Sequence, residues 1–78
     1  MTVANTVKAL LHLKGKRQID LAEHFEMKPQ SMTNKMARNS FSAEDLIKIA
    51  EFTGCKVAFV LDDGQMLYLE SDNEKAPQ

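Results

Sequence analysis

Apolar residues near the start of the chain recur at the i, i+4, i+7, i+8 spacing that gives an α-helix one apolar face. The stripe consists of Val3, Val7, Leu10 and Leu11, and Lys14 continues the same spacing. Thr2 is placed to cap the beginning of this helix, because a threonine hydroxyl can accept an N–H of the first turn. Gly15 is placed to end it.

Two further helices are predicted over residues 18–25 and 29–38. The first is short and has Leu21, Ala22 and Phe25 on one side. Residues 26–28 interrupt the pattern, and Pro29 suits the first position of a helix because its missing N–H costs nothing there. In the second helix a narrow apolar seam of Met32 and Met36 lies opposite polar residues: Gln30, Ser31, Thr33, Asn34 and Arg38.

A fourth helix is predicted from a capping box, in which Ser42 is followed three residues later by Asp45. Phe41 before the cap can pack on Leu46 as a hydrophobic staple. The expected core face consists of Leu46, Ile49, Ala50 and Thr53, and the helix is expected to end at Gly54.

After Cys55 the pattern favours a β-hairpin with strands over residues 56–61 and 66–70, joined through Asp63-Gly64. A two-residue turn there places Leu61 opposite Met66. One face then consists of Val57, Phe59, Leu61, Met66 and Tyr68, and the other of Ala58, Val60, Leu67 and Leu69. Both faces are apolar, so we expect the helices to bury at least one of them.

The sequence therefore predicts a mainly α fold of four helices with a C-terminal β-hairpin. We divide its 78 residues into a helical domain over 1–54, a hairpin over 55–70 that packs on it or mediates dimerisation, and a flexible tail over 71–78. A chain of this length forms a single domain with one small core.

Several function classes are disfavoured by composition. No apolar run approaches the roughly 20 residues that span a bilayer, and no export signal begins the chain, so we expect a cytoplasmic protein without a membrane partner. The single cysteine, Cys55, cannot form an internal disulfide or a zinc cluster. No catalytic triad or phosphate loop is visible. We therefore expect no enzymatic activity, cofactor, metal or small-molecule ligand.

The net charge of −1 conceals an uneven distribution. Residues 1–40 contain seven basic and three acidic residues, a net charge of +4, whereas residues 41–78 contain three basic and eight acidic residues, a net charge of −5. Such asymmetry indicates a basic working surface in the first half.

A short helix, a tight turn and a second helix with a polar outer face make up a helix-turn-helix, whose second helix enters the major groove of DNA. The groove is about 12 Å wide and about 8.5 Å deep, so an α-helix with short polar side chains fits. Ala22 lies where the two helices cross, and its small side chain permits their close approach.

Three segments taken in order resemble the Cro/lambda-repressor-like (XRE) helix-turn-helix family of transcriptional regulators. They are QIDLAEHF over 18–25, MKPQSM over 27–32 and LIKIAEFTG over 46–54. The resemblance covers about residues 5–54 and leaves the hairpin outside. It implies a compact helical domain that binds operator DNA as a dimer. One departure is Glu26, which occupies a turn position where the family usually has glycine.

The resemblance implies roles for individual residues. Gln30, Ser31, Asn34 and Arg38 would face base edges, since Gln or Asn pairs with adenine and Arg with guanine. Candidate contacts to the phosphates are Lys16, Arg17, Gln18, Lys28, Thr33 and Lys35. The candidate homodimer interface comes from the apolar hairpin, which lies outside the resemblance; it is the second hairpin face, formed by Ala58, Val60, Leu67 and Leu69.

The function predicted is a sequence-specific DNA-binding transcriptional regulator, specifically a repressor, that reads the major groove with residues 29–38. The alternative is a protein-interaction adaptor or antitoxin-like module that uses the same scaffold without binding an operator. A small enzyme or metal protein is a remote third possibility. A preferred duplex sequence, bound more weakly as salt is added, would distinguish the regulator from the adaptor.

Overall fold

A computed structural model describes residues 1–70 of the chain; the predicted tail over 71–78 lies outside the described residues. Four helices are followed by two antiparallel strands, which confirms the predicted fold class. The elements are α1 (Val3–Leu13), α2 (Gln18–His24), α3 (Pro29–Arg38), α4 (Ala43–Thr53), β1 (Val57–Val60) and β2 (Met66–Leu69). Within these residues no helix combines the length and apolar character needed to cross a membrane.

The helix ends follow the predicted capping residues. The Thr2 hydroxyl accepts the Asn5 N–H at 3.1 Å at the beginning of α1. At α4, the Ser42 hydroxyl accepts the Asp45 N–H and the Asp45 carboxylate accepts the Ser42 N–H, which completes the capping box. Gly54 ends α4 in a left-handed conformation with φ 72°. These local interactions fix where α1 and α4 begin and where α4 ends.

The core lies between the four helices and is centred on α2 and α3. Leu21 and Met32 are fully buried, and Ala22 is buried where α2 and α3 pack. The other members of the buried cluster are Ala4, Val7, Leu11, Met36 and Ile49. On α4, Ile49, Ala50 and Thr53 are buried as predicted, and Leu46 is half-buried against the core. Ile47, which was not predicted to lie inside, is buried as well. This core holds α3 with its apolar seam inward.

The turn between α2 and α3 places Glu26 in the left-handed region, with φ 58°. Its N–H donates to the Glu23 carbonyl at 2.9 Å, and the next N–H, of Met27, donates to the Ala22 carbonyl at 3.0 Å. This conformation brings the chain from the end of α2 to Lys28 and α3. Residues with a Cβ are strained in this conformation.

We expect Glu26→Gly to raise the free energy of unfolding by about 0.5–1 kcal/mol, because relief of left-handed strain outweighs the added entropy of an unfolded glycine. Urea unfolding of the two proteins measures the difference. Asn39, also left-handed at φ 55°, is the contrast because its side chain accepts the Ala4 N–H. Asn39→Gly should lower stability by about 1 kcal/mol. A loss of stability in Glu26→Gly would contradict this account of the turn.

The register of the hairpin differs by one residue from the prediction, which was wrong. Val60 pairs with Met66, Phe59 with Leu67, Ala58 with Tyr68 and Val57 with Leu69. The loop has three residues, 62–64, rather than two: the Leu61 N–H donates to the Gln65 carbonyl at 2.8 Å, and Gly64 is left-handed at φ 91°. This is the arrangement of a turn followed by a bulge, the next most common hairpin loop.

The new register redistributes the side chains between the two faces of the hairpin. One face now consists of Val57, Phe59, Leu67 and Leu69, and the other of Ala58, Val60, Met66 and Tyr68. The predicted interface set is therefore split, with Ala58 and Val60 on one face and Leu67 and Leu69 on the other.

Neither face is buried by the helices, contrary to expectation. Val57 and Ala58 are half-buried where β1 contacts α4, but Phe59 is 65% exposed and Val60 67% exposed. All four residues of β2 are exposed. The hairpin thus extends from the helical domain with two apolar faces open to solvent.

Candidate nucleic-acid interface

The packing of α3 separates its two sides. Met32 and Met36 are buried in the core. The predicted base-reading residues, Gln30, Ser31, Asn34 and Arg38, are all exposed, and so is Thr33. These residues are exposed although the hairpin is present in the same structure. The hairpin therefore does not cover the outer side of α3.

Two amide side chains on this outer side contact each other. The Gln30 Nε2 donates to the Asn34 Oδ1 at 3.2 Å, across one turn of α3. Both side chains are exposed. Polar groups that can both donate and accept hydrogen bonds are thereby held together on the exposed side of α3.

The structure brings two of the predicted phosphate-contacting residues together across the α2–α3 junction. The Gln18 Nε2 donates to the Thr33 Oγ1 at 3.4 Å, and that hydroxyl in turn donates to the Pro29 carbonyl at 3.1 Å. Gln18 is the first residue of α2 and is half-buried. This chain of hydrogen bonds positions polar groups of α2 beside the outer side of α3.

Three of the predicted phosphate-contacting cations remain exposed. Arg17 donates through Nε and Nη2 to the Asp20 carboxylate, both at 3.0 Å, and this hydrogen-bonded ion pair lowers the pKa of Asp20. Lys16 lies over the Phe52 ring, 5.1 Å from its centroid. Lys28 precedes Pro29 and makes no capping hydrogen bond with its side chain. These cations flank the beginning of α2 and of α3.

Lys35, the remaining cation among the predicted phosphate contacts, is less exposed than the other three. Its ammonium lies 3.0 Å from the Asp45 Oδ2, with both side chains about four-fifths buried, and it also lies over the Phe41 ring. Lys35 therefore joins the last turns of α3 to the capping box of α4. Its charge is thus paired with a carboxylate, although about a fifth of the side chain remains exposed.

Asp45 is the acidic partner of Lys35 in this ion pair. Burial raises its pKa, but the backbone hydrogen bond from Ser42 and the interaction with Lys35 outweigh burial, so the pKa is lowered overall. A carboxylate with a lowered pKa in the folded state stabilises that state as long as it is ionised.

We expect the stability contributed by Asp45 to be present above its unfolded pKa of about 3.9 and to be lost as pH falls through its lower folded pKa. Asp45→Asn should therefore reduce the free energy of unfolding at pH 7 and flatten its decline below about pH 4. Urea unfolding as a function of pH measures both effects. Glu51→Gln, at an exposed α4 position, is the control. An unchanged acid limb in Asp45→Asn would contradict the assignment.

One positioning residue was missed by the sequence analysis. Asn39 ends α3 in the left-handed conformation, and its Oδ1 accepts the Ala4 N–H of α1 at 2.6 Å. Asparagine after a helix is a recognisable ending signal. The sequence gives no indication that Asn39 would contact Ala4, which lies 35 residues away.

Two other kinds of site, a metal site and a ligand groove, are relevant among the described residues. In residues 1–70 no three His, Cys, Asp or Glu side chains are grouped as a metal site. An open groove of about 360 Å³ lies between α1 and α4, lined largely by apolar residues, and it continues to Val57 and Ala58 at the base of the hairpin. Apolar surface therefore adjoins the hairpin, and no residue of α3 lines this groove.

Comparison with known families identifies a relationship over most of the chain. Residues 6–66 match the family model described as the bacteriophage CI repressor helix-turn-helix domain. None of the curated proteins or solved structures compared with the chain matches it. The match includes all the candidate DNA-contacting residues and extends through β1 to the first residue of β2. The expected limit of the resemblance at residue 54 was therefore too short.

Proposed function

Because the chain belongs to the bacteriophage CI repressor helix-turn-helix domain family and is a DNA-binding regulator, we propose that it is a sequence-specific repressor that reads the major groove with α3. The single observation that carries this proposal is the exposed polar side of α3 above a buried seam of Met32 and Met36. A helix presented in this way can enter the groove without unfolding any part of the core.

Base reading is assigned to the outer side of α3. Gln30 and Asn34 carry both donors and acceptors, which suit adenine, while Ser31 can donate or accept. Arg38, in the last turn, can pair with guanine or with a phosphate. The positions on one side of a helix let these residues face adjacent base pairs.

The phosphate contacts are assigned to residues at the edges of this surface. They are Lys16, Arg17, Gln18, Lys28 and Thr33, all of which are exposed or half-buried. Lys35 is omitted because its charge is paired with Asp45. Contacts of this kind fix the orientation of α3 on the duplex and supply affinity that does not depend on sequence.

A homodimer is the proposed binding form. One short α3 reads too few bases for high specificity, whereas a two-fold pair can read two half-sites about 34 Å apart. The exposed apolar hairpin supplies the surface for self-association. A dimer bound at an operator would repress by occupying DNA that other proteins need, and the proposal places the protein in the cytoplasm with its DNA and with no catalytic role.

Selection of bound duplexes from a random pool tests the proposal. We expect a preferred sequence with two-fold symmetry, bound with an affinity that falls steeply as salt is added. The full 78-residue protein is used, and a shuffled duplex of the same composition is the control. Binding without any sequence preference would overturn the repressor proposal and favour the adaptor scaffold.

A further inference from the structure

We propose that Asn34 is a positioning residue that orients the Gln30 side chain so that Gln30 reads one adenine in each half-site. This inference rests on the proposed function. Its starting observation is the hydrogen bond from Gln30 Nε2 to Asn34 Oδ1, 3.2 Å long, between two exposed side chains on the outer side of α3. The direction of this bond decides what each amide can offer to a base.

A glutamine amide has one acceptor oxygen and two N–H donors. The bond to Asn34 uses one N–H of Gln30 and leaves the Gln30 oxygen and its second N–H free. A free acceptor beside a free donor matches adenine, which presents the N6 donor next to the N7 acceptor. Guanine presents two acceptors, and thymine an acceptor beside a methyl group, so neither satisfies both groups of Gln30.

Asn34 contributes by holding the Gln30 amide in this orientation before DNA arrives. If the bond were reversed, with Asn34 Nδ2 donating to the Gln30 oxygen, the free groups of Gln30 would be N–H donors, which suit guanine. A residue that can only accept at position 34 would therefore enforce the adenine orientation. Aspartate is such a residue, with nearly the shape of asparagine.

The experiment measures base preference at every position of the selected operator for four proteins: wild type, Gln30→Ala, Asn34→Ala and Asn34→Asp. We expect Gln30→Ala to remove the preference for adenine at one base pair of each half-site. Asn34→Ala should reduce the adenine preference about tenfold at the same base pair, because the unsupported amide no longer favours one orientation. In a double variant the two effects should not add.

Asn34→Asp separates orientation from a merely structural role. Its carboxylate repels phosphates and should weaken binding of all duplexes, yet the ratio of adenine to the other bases should be retained. Asn5→Ala, which removes an exposed amide from α1, should leave the whole preference profile unchanged. Thermal unfolding of each variant confirms that the fold is intact.

Three results would overturn the inference: an unchanged adenine preference in Asn34→Ala at the base pair that Gln30 reads, additive effects at that base pair in the double variant, or guanine as the base that depends on Gln30. Each of them leaves a protein that still prefers one operator. Failure of the proposed function is a different result, in which the wild-type protein itself shows no preferred sequence.

Discussion

Gln30→Ala is expected to weaken binding of the preferred operator by about 1–3 kcal/mol per protomer, because each copy loses a hydrogen-bonded contact with a base edge. Gln30 is exposed in the first turn of α3, away from the buried Met32. The substitution should therefore leave the free energy of unfolding nearly unchanged. Titration of labelled operator at fixed salt, with urea unfolding of the same samples, measures both quantities.

Lys28→Ala is the matched contrast. Its side chain is exposed beside the beginning of α3 and makes no capping bond. Removal of a phosphate contact should weaken binding of preferred and shuffled duplexes alike, and should reduce the slope of log affinity against log salt by about one per protomer. Gln30→Ala should leave this slope unchanged. Equal affinity of wild type and Gln30→Ala for the operator, with an unchanged base profile, would remove α3 from the recognition surface.

The features predicted correctly from sequence are those that depend on neighbours within one or two helical turns. The capping box of Ser42 and Asp45 and the end of α4 at Gly54 both depend on local backbone hydrogen bonds. The two sides of α3 follow from spacing alone, since Met32 and Met36 lie one turn apart. The polar side of the candidate interface was predictable for the same reason.

The features missed depend on pairs that are distant in sequence. Lys35 looked like a free surface cation, but the packing of α3 on α4 brings it to Asp45. The bond from Ala4 to Asn39 likewise requires the ends of α1 and α3 to meet. Neither contact can be predicted from periodicity. The spacing of residues shows which side of a helix a residue occupies, but it does not show which residue of another helix it contacts.

The hairpin register failed for a different reason. The Asp63-Gly64 pair fits either a two-residue loop or a three-residue loop that ends in a left-handed glycine. The structure has the second, with Leu61 hydrogen-bonded to Gln65. One residue of loop length moves every side chain of one strand relative to the other, so the two faces were assigned incorrectly although both strands were identified.

The corrected faces make self-association testable one face at a time. Val60 lies with Ala58, Met66 and Tyr68, whereas Leu69 lies on the opposite face. Val60→Lys and Leu69→Lys should each shift the protein toward monomer. Because the dimer has two copies of the chain, each substitution introduces two ammonium groups into the interface. It also removes from each protomer an apolar contact worth about 1.5 kcal/mol or more. The dimer dissociation constant should therefore rise by at least about 100-fold.

Sedimentation equilibrium over a range of protein concentrations measures this shift. Gln65→Lys adds the same charge at an exposed polar position beside the turn and should leave the dimer intact. A dimer that persists in both Val60→Lys and Leu69→Lys would exclude the hairpin faces from the interface, and dissociation of one variant alone would assign the interface to that face. Because two linked copies of α3 are needed to read two half-sites, a monomeric variant should also lose the preference for a two-fold operator while its salt-dependent binding to any duplex remains.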